Sequence, residues 1–378
     1  MRHPYWVAGL VLLIGVTRSA SAVPENKIRV HFIDVGQGAA TLVEFACGAI
    51  LIDTGGERWP SDEQRPARYD SNVSLYSYLN WFFNHRPDLN RRLDALFITH
   101  PHSDHTRGIP IVLEEFAPRN IIHNGQRHES SGSLGQKLAR DYARLHEDEG
   151  VRAWYVLAEH ANPPDGLTNS IIDPLDCSAG NNGTDPRIRL LWGQVRDASG
   201  WEPDDFDDEN NHSLVIRIDF GEASILFTGD LEEKRSGGRD AGIERLVDRY
   251  SGTGLLDVDV FHVGHHGSHN GNSTALTQAV SPEIAVLASG PACRRPEFSA
   301  WEHAHPRKET IDELLPLITG TRNAVTFSYF DRHEADPSTR QTTKALYGTG
   351  WDGTIVLESG PDGVWREVSL SGPDLCLR

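Results

Sequence analysis

The chain has 378 residues, of which 38% are hydrophobic and 24% are charged, and its formal net charge at pH 7 is −18. This length and apolar content indicate a globular protein with one large or two ordinary domains. Such an acidic chain repels polyanions at long range, which argues against tight, nonspecific binding to long DNA or to an anionic membrane.

The first 22 residues have the parts of an export signal: a basic start at Arg2, the apolar stretch VAGLVLLIGV, and the small-residue ending Ala20-Ser21-Ala22. The apolar stretch is about half of the ~20 residues that a bilayer-spanning helix needs, so we interpret it as a cleaved signal peptide and not as an anchor. Cleavage after Ala22 leaves 34 basic and 54 acidic residues, a net charge of −20. We therefore expect a secreted or periplasmic protein whose mature form has no membrane segment.

The four cysteines are widely spaced and form no CxxC pattern. In an exported protein they can form two disulfides in any of three pairings, whereas the alternative is four buried free thiols. The sequence leaves this choice and the pairing open for Cys47, Cys177, Cys293 and Cys376.

No repeat or low-complexity linker interrupts the mature chain, so we expect one domain over residues 27–370. Its opening segment, KIRVHFIDVGQGAATLVEFACGAILIDTGG, predicts three short strands with breaks at Gly36, Gly38 and Gly48. A helix is predicted over residues 72–84, and LDALFIT predicts the next strand. Further strands are predicted at VRAWYVLA, IRLLW, SLVIRIDF, ASILFTG, VDVFHVG and EIAVLAS, and further helices near 134–147, 240–249, 273–280 and 308–317. Because strands outnumber helices and the two intermix, the predicted fold class is an α/β layered domain.

Three histidines and an aspartate directly follow the predicted strand LDALFIT, in the segment FITHPHSDHTRGI. Imidazole and carboxylate groups are ligands for Zn²⁺ and similar ions, and we expect His100 and His102 to share one ion. Asp104 and His105, at the start of the following helical turn, are expected to face a second ion ~3.5–4 Å away. The alternative is a polar loop rich in histidine, but H-x-H-x-D-H spacing directly after a strand favours the metal site.

The segment HPHSDH resembles the HxHxDH signature of the metallo-β-lactamase superfamily. The other motifs follow in that family's order: LIDTGG with Asp53, LFTGD with Asp230, and VGHHGS with His265 and His266. The segments HFIDVGQGAATLVE, NNHSLVIRI, FHVGHHGSHNGNS, HAHP and GWDGTIVL also resemble the metallo-hydrolase domain of ComEC-type competence proteins. The resemblance runs from about residue 27 to about residue 368. It implies an αββα sandwich with a dinuclear metal site at the edge between the two sheets.

The resemblance also implies two divalent metal ions, with zinc as the first expectation and manganese or iron as alternatives. A carboxylate that bridges both ions lets two cations lie close together, and this role falls to Asp230, for which a simple turn residue is the alternative. The final ligand is one member of a histidine pair, and the sequence does not choose between them. The implied metal ligands are His100, His102, Asp104, His105, Asp230, and His265 or His266.

One departure from the family pattern concerns the first ion. Many members have a further histidine a little over twenty residues before the bridging aspartate, where this chain has PDDFDDENNHS. That segment offers Asp207, Asp208 and Asn211, whereas His212 is expected to point elsewhere. We expect a carboxylate or a water molecule to complete the coordination. The alternative for residues 204–209 is a solvated acidic loop.

Four further residues are expected to act near the ions without binding them. Asp53 and Asn211 are expected to orient ligands, and for Asp53 the alternative is a hydrogen-bonded turn. His303 and His305 in WEHAHPRKET are candidate substrate-side groups, and for them the alternative is a surface pair at a helix start. We expect His305 to donate a proton to the leaving group. Together with the ligand Asp104, the two histidines form the predicted catalytic set.

The expected activity is hydrolysis by a hydroxide shared between two cations, which lower the pKa of water from about 15.7 to about 7 and hold the developing negative charge. The resemblance favours a phosphodiester substrate, either a nucleotide, an oligonucleotide or a cell-wall phosphodiester. The first alternative is a hydrolase of β-lactams, lactones or thioesters. The second is an exported, non-catalytic metal-binding protein, which would require a broken site.

Overall fold

The structure is a computed structural model, and it describes residues 26–56, 70–126, 134–156, 163–178, 183–193, 207–233, 242–290, 303–331, 336–370 and 372–373. The predicted signal peptide, Cys293 and Cys376 lie outside these residues. Within the described ranges, no helix combines the length and apolar character needed to cross a membrane.

The described residues form sixteen strands and eight α-helices. In chain order the strands are β1 (Ile28–Phe32), β2 (Thr41–Phe45), β3 (Ala49–Ile52), β4 (Ala95–Ile98), β5 (Asn120–His123), β6 (Arg152–Tyr155), β7 (Arg187–Trp192), β8 (Val215–Phe220), β9 (Ala223–Phe227), β10 (Val260–His262), β11 (Ile284–Leu287), β12 (Thr321–Tyr329), β13 (Ser338–Lys344), β14 (Leu346–Gly348), β15 (Ile355–Ser359) and β16 (Arg366–Glu367). The helices are Ser71–His85, Ser103–Thr106, Ile109–Glu115, Leu134–Leu145, Gly242–Tyr250, Thr274–Val280, Lys308–Leu314 and Thr349–Asp352.

Two large sheets contain most of the strands. The first has the order β16-β15-β1-β2-β3-β4-β5-β6, and its members from β3 to β6 are parallel. The second has the order β14-β11-β10-β9-β8-β7, and β9, β10, β11 and β14 are parallel. Strands β12 and β13 form a separate antiparallel hairpin. Because parallel strands end at the same edge of a sheet, the segments that follow β3 and β4, and those that follow β9 and β10, each emerge together.

Strand β1 shows how one strand contributes to two layers. Its alternate side chains Ile28, Val30 and Phe32 belong to the core between the two sheets. His31 points to the other face, where its Nδ1 lies 2.8 Å from the hydroxyl of Tyr78 on the first long helix. This period of two places one sheet between a helical layer and the second sheet.

The helical layer on the first sheet has its own apolar core, in which Leu79 and Phe83 pack with Leu51 and Leu96. The second sheet packs on the first through one face and is covered by helices that include Leu246 and Leu276 on the other. The predicted αββα sandwich is therefore confirmed.

A disulfide joins a turn of the first sheet to the segment that leads into the second sheet. Cys47 lies in the turn between β2 and β3, and Cys177 lies in the segment before β7, with a Cα–Cα distance of 5.2 Å. The bond closes a sequence separation of 130 residues. The structure thus selects one cysteine pairing among those that the sequence left open.

Candidate metal centre

The candidate site lies where parallel strands of both sheets end. Asp53 follows β3, and His100 follows β4 after one residue. Asp230 follows β9, and the pair His265–His266 follows β10. These segments contact one another directly, since the backbone N–H of His265 donates to the carbonyl of Gly229 at 3.0 Å. The motifs that are far apart in sequence therefore meet at one edge of the sandwich.

Four side chains form a compact cluster at this edge: Asp104, His105, Asp230 and His266. Each offers one potential ligand atom, and these four atoms all lie within 4.8 Å of one another. His105 Nε2 is 3.1 Å from Asp230 Oδ1 and 3.2 Å from His266 Nε2. His266 Nε2 is 3.2 Å from Asp104 Oδ2 and 3.5 Å from Asp230 Oδ2. Two ligand atoms that each lie ~2.1 Å from one ion are about 3–3.5 Å apart, so these spacings suit a shared cation.

His100 provides an independent test of whether these residues fit a metal. Its side chain is fully buried, and its Nε2 has no hydrogen-bond partner among the described residues. This nitrogen lies 3.8 Å from Asp230 Oδ2, on the cluster side of the ring. A buried polar atom without a partner is costly, and a cation beside Asp230 would satisfy it. The residues present therefore fit a divalent ion.

His102 lies beside the cluster but outside it. Its side chain is 40% exposed, and its Nε2 is 2.9 Å from Glu209 Oε2. The centroids of the His100 and His102 rings are 4.8 Å apart. Glu209 was not among the individual residues proposed from the sequence, because it lies in an acidic run and its contact with His102 spans distant parts of the chain.

The structure distinguishes the two adjacent histidines. His266 is buried, its Nε2 faces the cluster, and its Nδ1 donates to the carbonyl oxygen of Ala288 at 2.8 Å. His265 turns aside, and its Nδ1 lies 3.1 Å from Glu232 Oε1. Left-handed φ angles of 48°, 53° and 78° at His265, His266 and Gly267 produce this tight turn. The donor atom that reaches the cluster is therefore on His266.

Asp53 supports the cluster from behind His105. Its Oδ2 accepts hydrogen bonds at 2.7 Å from His105 Nδ1 and from the hydroxyl of Thr99, and its Oδ1 accepts from the Thr99 N–H at 2.8 Å. Because Nδ1 is occupied in this way, Nε2 of His105 is directed to the cluster. Thr99 is a further supporting residue, one that the motifs did not single out.

The charges in the cluster are strongly coupled. Burial by itself lowers the pKa of His105, but the carboxylates of Asp230 and Asp53 raise it well above its ordinary value. Burial likewise opposes the charged form of His266, but Asp230 and Asp104 raise its pKa to about 10. Burial and the neighbouring His105 lower the pKa of His100, which favours a neutral imidazole. Protons and divalent cations would thus compete for the same nitrogen atoms.

The acidic segment before β8 differs in part from a solvated loop. Asp207 is exposed, whereas the Glu209 side chain is only 11% exposed and Asp208 accepts from the N–H of Asn210 at 3.0 Å. The solvated-loop interpretation is therefore wrong for Asp208 and Glu209. Asn211 was expected beside a ligand, but its Oδ1 accepts from the N–H of Gly242 at 3.1 Å. That contact fastens the segment to the start of the helix Gly242–Tyr250.

His305 lies near the cluster, and His303 is more exposed. The His305 ring centroid is 6.3 Å from that of His266, and its Nδ1 accepts from Gln37 Nε2 at 3.1 Å. Burial, reinforced by His265, lowers the pKa of His305 well below its ordinary value. This shift favours the neutral form of the ring over the protonated donor expected from the sequence. Gln37 lies inside the quoted HFIDVGQGAATLVE motif, but it was not proposed as a site residue.

Comparison with known protein families shows to which family this chain is related. A model of the metallo-beta-lactamase superfamily matches residues 33–290. The chain belongs to the metallo-β-lactamase superfamily. The matched range contains Asp53, the HxHxDH segment, Asp230 and His266, so membership of this superfamily covers the whole cluster. The family predicted from the motifs is confirmed.

Curated relatives include competence proteins. Competence protein ComA from Neisseria gonorrhoeae is 30% identical over 282 residues, which cover 74% of this chain and 30% of that protein. ComE operon protein 3 from Bacillus subtilis is 26% identical over 320 residues, covering 80% of this chain and 33% of that protein. The chain thus spans about a third of the length of these relatives. A solved metallo-beta-lactamase fold protein, YhfI from Bacillus subtilis, is 12% identical with a TM-score of 0.41 and covers 88% of this chain and 100% of its own.

Proposed function

We propose that this superfamily member is a metal-dependent hydrolase of phosphodiesters, with a nucleotide, an oligonucleotide or a cell-wall phosphodiester as substrate. The observation that carries the proposal is the cluster of Asp104, His105, Asp230 and His266, with the buried Nε2 of His100 beside it. Relatives named as competence proteins support a phosphodiester over a β-lactam.

In this proposal each of the two ions has its own protein ligands, and one further ligand is common to both. His100 and His102 would hold the first ion, Asp104, His105 and His266 the second, and Asp230 both. When bound, divalent cations would lower the pKa of water and offset the negative charge that develops on the substrate. Asp53 keeps the Nδ1 of His105 occupied, which leaves Nε2 free to serve as a ligand atom.

The proposed role of His305 is hydrogen bonding to the substrate. Gln37 donates to its Nδ1, so the neutral ring carries its proton on Nε2. A neutral Nε2–H can donate a hydrogen bond to a phosphate oxygen, although it is a poor acid. We therefore propose a positioning role for His305 in place of the proton donation expected from the sequence.

The substrate class can be tested with one screen. Purified protein loaded with Zn²⁺ or Mn²⁺ is assayed with a bis-aryl phosphate, nitrocefin and a panel of lactones, and its metal content is measured in parallel. We expect turnover of the phosphodiester to exceed turnover of the other substrates. Hydrolysis of nitrocefin or lactones alone would instead support the carbon-centred alternative. Full metal occupancy without any turnover would support the non-catalytic alternative.

Replacement of His305 tests its positioning role. His305→Ala is expected to lower kcat by about tenfold to a hundredfold on a phosphodiester, and by the same factor for good and poor leaving groups. Metal content should not change. Gln37→Ala should give a smaller loss that does not add to the loss from His305→Ala, since both act through one ring. A loss confined to the poor leaving group would restore the proton-donor role, and no loss at all would contradict any role of His305 in the reaction.

Export is also proposed, with cleavage of residues 1–22. The support is the apolar stretch with its Ala20-Ser21-Ala22 ending, together with the Cys47–Cys177 disulfide, a bond that persists in oxidising compartments. N-terminal sequencing of protein from the native host is expected to begin at Val23. An intact Met1 on the purified protein would contradict export.

A further inference from the structure

We propose that Glu209 is the third protein ligand of the first ion and that it replaces the histidine found in many superfamily members. The first ion would then be held by His100, His102 and the Glu209 carboxylate, together with the shared Asp230. This inference rests on the proposed two-ion function and adds to it a ligand and a metal preference.

The distance between the two side chains supports a shared cation. Glu209 Oε2 lies 2.9 Å from His102 Nε2, close to the 3.1 and 3.2 Å separations within the neighbouring cluster. The carboxylate is largely buried, with a side-chain exposure of 11%. The first ion, which His100 and His102 would hold, would therefore have this carboxylate beside it.

The backbone fixes Glu209 beside the predicted ligands. Glu209 begins the short 3₁₀ helix Glu209–His212, and Leu214, just after it, donates its N–H to the carbonyl of Thr99 at 2.9 Å. Thr99 directly precedes His100. The hydroxyl of Ser213 accepts from the N–H of Asp230 at 3.0 Å. The segment that carries Glu209 is thus hydrogen-bonded both to the HxHxDH segment and to the bridging aspartate.

A second set of contacts holds the other end of this short helix. Asn210 Nδ2 donates to Glu232 Oε1 at 2.7 Å, and Asn211 accepts from the N–H of Gly242. Asp208 and Glu232 form a side-chain hydrogen bond with each other, whereas Glu209 is the carboxylate in contact with a predicted ligand.

The exchange of a histidine for a carboxylate changes which metal fits. Two histidines and one carboxylate form a ligand set used by Fe(II), and carboxylate oxygens also suit Mn²⁺, whereas imidazole nitrogens suit Zn²⁺. The additional negative charge also strengthens attraction to any divalent cation. We therefore infer that Glu209 shifts the metal preference of the first site toward Mn²⁺ or Fe²⁺ and away from Zn²⁺. The reference for this shift is a site with histidine at position 209.

The test compares metal binding by the full-length protein and three variants, with Mn²⁺ and Zn²⁺ as probes. Ions per chain are measured by elemental analysis, affinities by calorimetry, and the pairing of two Mn²⁺ ions by electron paramagnetic resonance. Glu209→Gln removes the anionic ligand at constant size. Glu209→His restores the histidine of other members. Asp207→Asn removes one charge from the exposed neighbour and is the matched control.

Wild type and Asp207→Asn are expected to bind two Mn²⁺ ions that give a coupled signal. Loss of a residue that only orients a ligand costs about 10–100-fold in metal affinity, so loss of a ligand should cost more than ~100-fold at the first site. Glu209→Gln should therefore retain one ion and lose the coupled signal. Glu209→His should bind two Zn²⁺ ions, with the ratio of Mn²⁺ to Zn²⁺ affinity lowered by about tenfold or more.

Two results would overturn the assignment. One is a loss of first-site Mn²⁺ affinity below ~100-fold in Glu209→Gln, which would make Glu209 an orienting partner of His102. The other is an unchanged Mn²⁺ to Zn²⁺ preference in Glu209→His, which decides the question if Glu209→Gln does not fold. Failure of the proposed function would look different. Wild type would bind two ions and Glu209→Gln would bind one, but wild type would hydrolyse no phosphodiester.

Discussion

Asp230→Ala is expected to reduce the bound metal from two ions to one or none and to lower kcat/KM by at least ~10³-fold. The carboxylate of Asp230 is the one that lies between the two halves of the site. Its Oδ1 is 3.1 Å from His105 Nε2, and its Oδ2 is 3.8 Å from His100 Nε2. Without it, the two cations would lose both a shared ligand and the negative charge that lets them lie close together.

The control for this experiment removes one negative charge, as Asp230→Ala does, but at an exposed residue. Asp207→Asn removes one negative charge from an exposed residue and should leave metal content and rate unchanged. Asp230→Asn retains the volume of the side chain in the buried site and should resemble Asp230→Ala in metal content. A wild-type protein that binds one ion, with a stoichiometry that Asp230→Ala does not alter, would contradict the dinuclear proposal.

The strong apolar patterns of the core strands predicted most of these strands and an α/β domain, whereas the αββα layering was implied by the motif resemblance. β1, β4 and β9 consist of buried residues over their whole lengths, and the helix Ser71–His85 buries one face. The β12–β13 hairpin was not predicted. Its residues alternate weakly and most of them are at least partly exposed, so it lacks the apolar period on which the prediction depends. Strands β5, β14, β15 and β16 were also not predicted.

The candidate site was predictable where its residues are local in sequence. The segment from His100 to His105 contains its own spacing, and the structure places Asp104 and His105 in one cluster with Asp230 and His266. Asp230 and the His265–His266 pair, which are distant in sequence, were predicted only through the family resemblance, and partners outside the motifs were not predictable. Glu209 meets His102 across a distant part of the chain, in a segment that is also hydrogen-bonded to Thr99. An acidic run in a sequence does not indicate which of its members will be buried.

His266→Ala is expected to lose at least one ion and to lower kcat/KM by about 10³-fold or more, whereas His265→Ala should keep both ions. The two residues are adjacent and identical in type, so the sequence could not distinguish them. The structure distinguishes them by the direction of each side chain. Nε2 of His266 faces Asp104 and Asp230, and its Nδ1 donates to the carbonyl of Ala288. His265 instead lies against Glu232, at the side of the cluster.

Each histidine variant serves as the control for the other, because both remove one imidazole from the same turn. Elemental analysis gives the ions per chain, and thermal unfolding in the presence of a chelator shows whether the metal-free chain still folds. A His266→Gln variant tests whether a polar side chain without a metal-binding nitrogen can substitute, and it should behave as His266→Ala does. If His265→Ala loses an ion while His266→Ala retains both, the ligand is His265, and the turn must rearrange when metal binds.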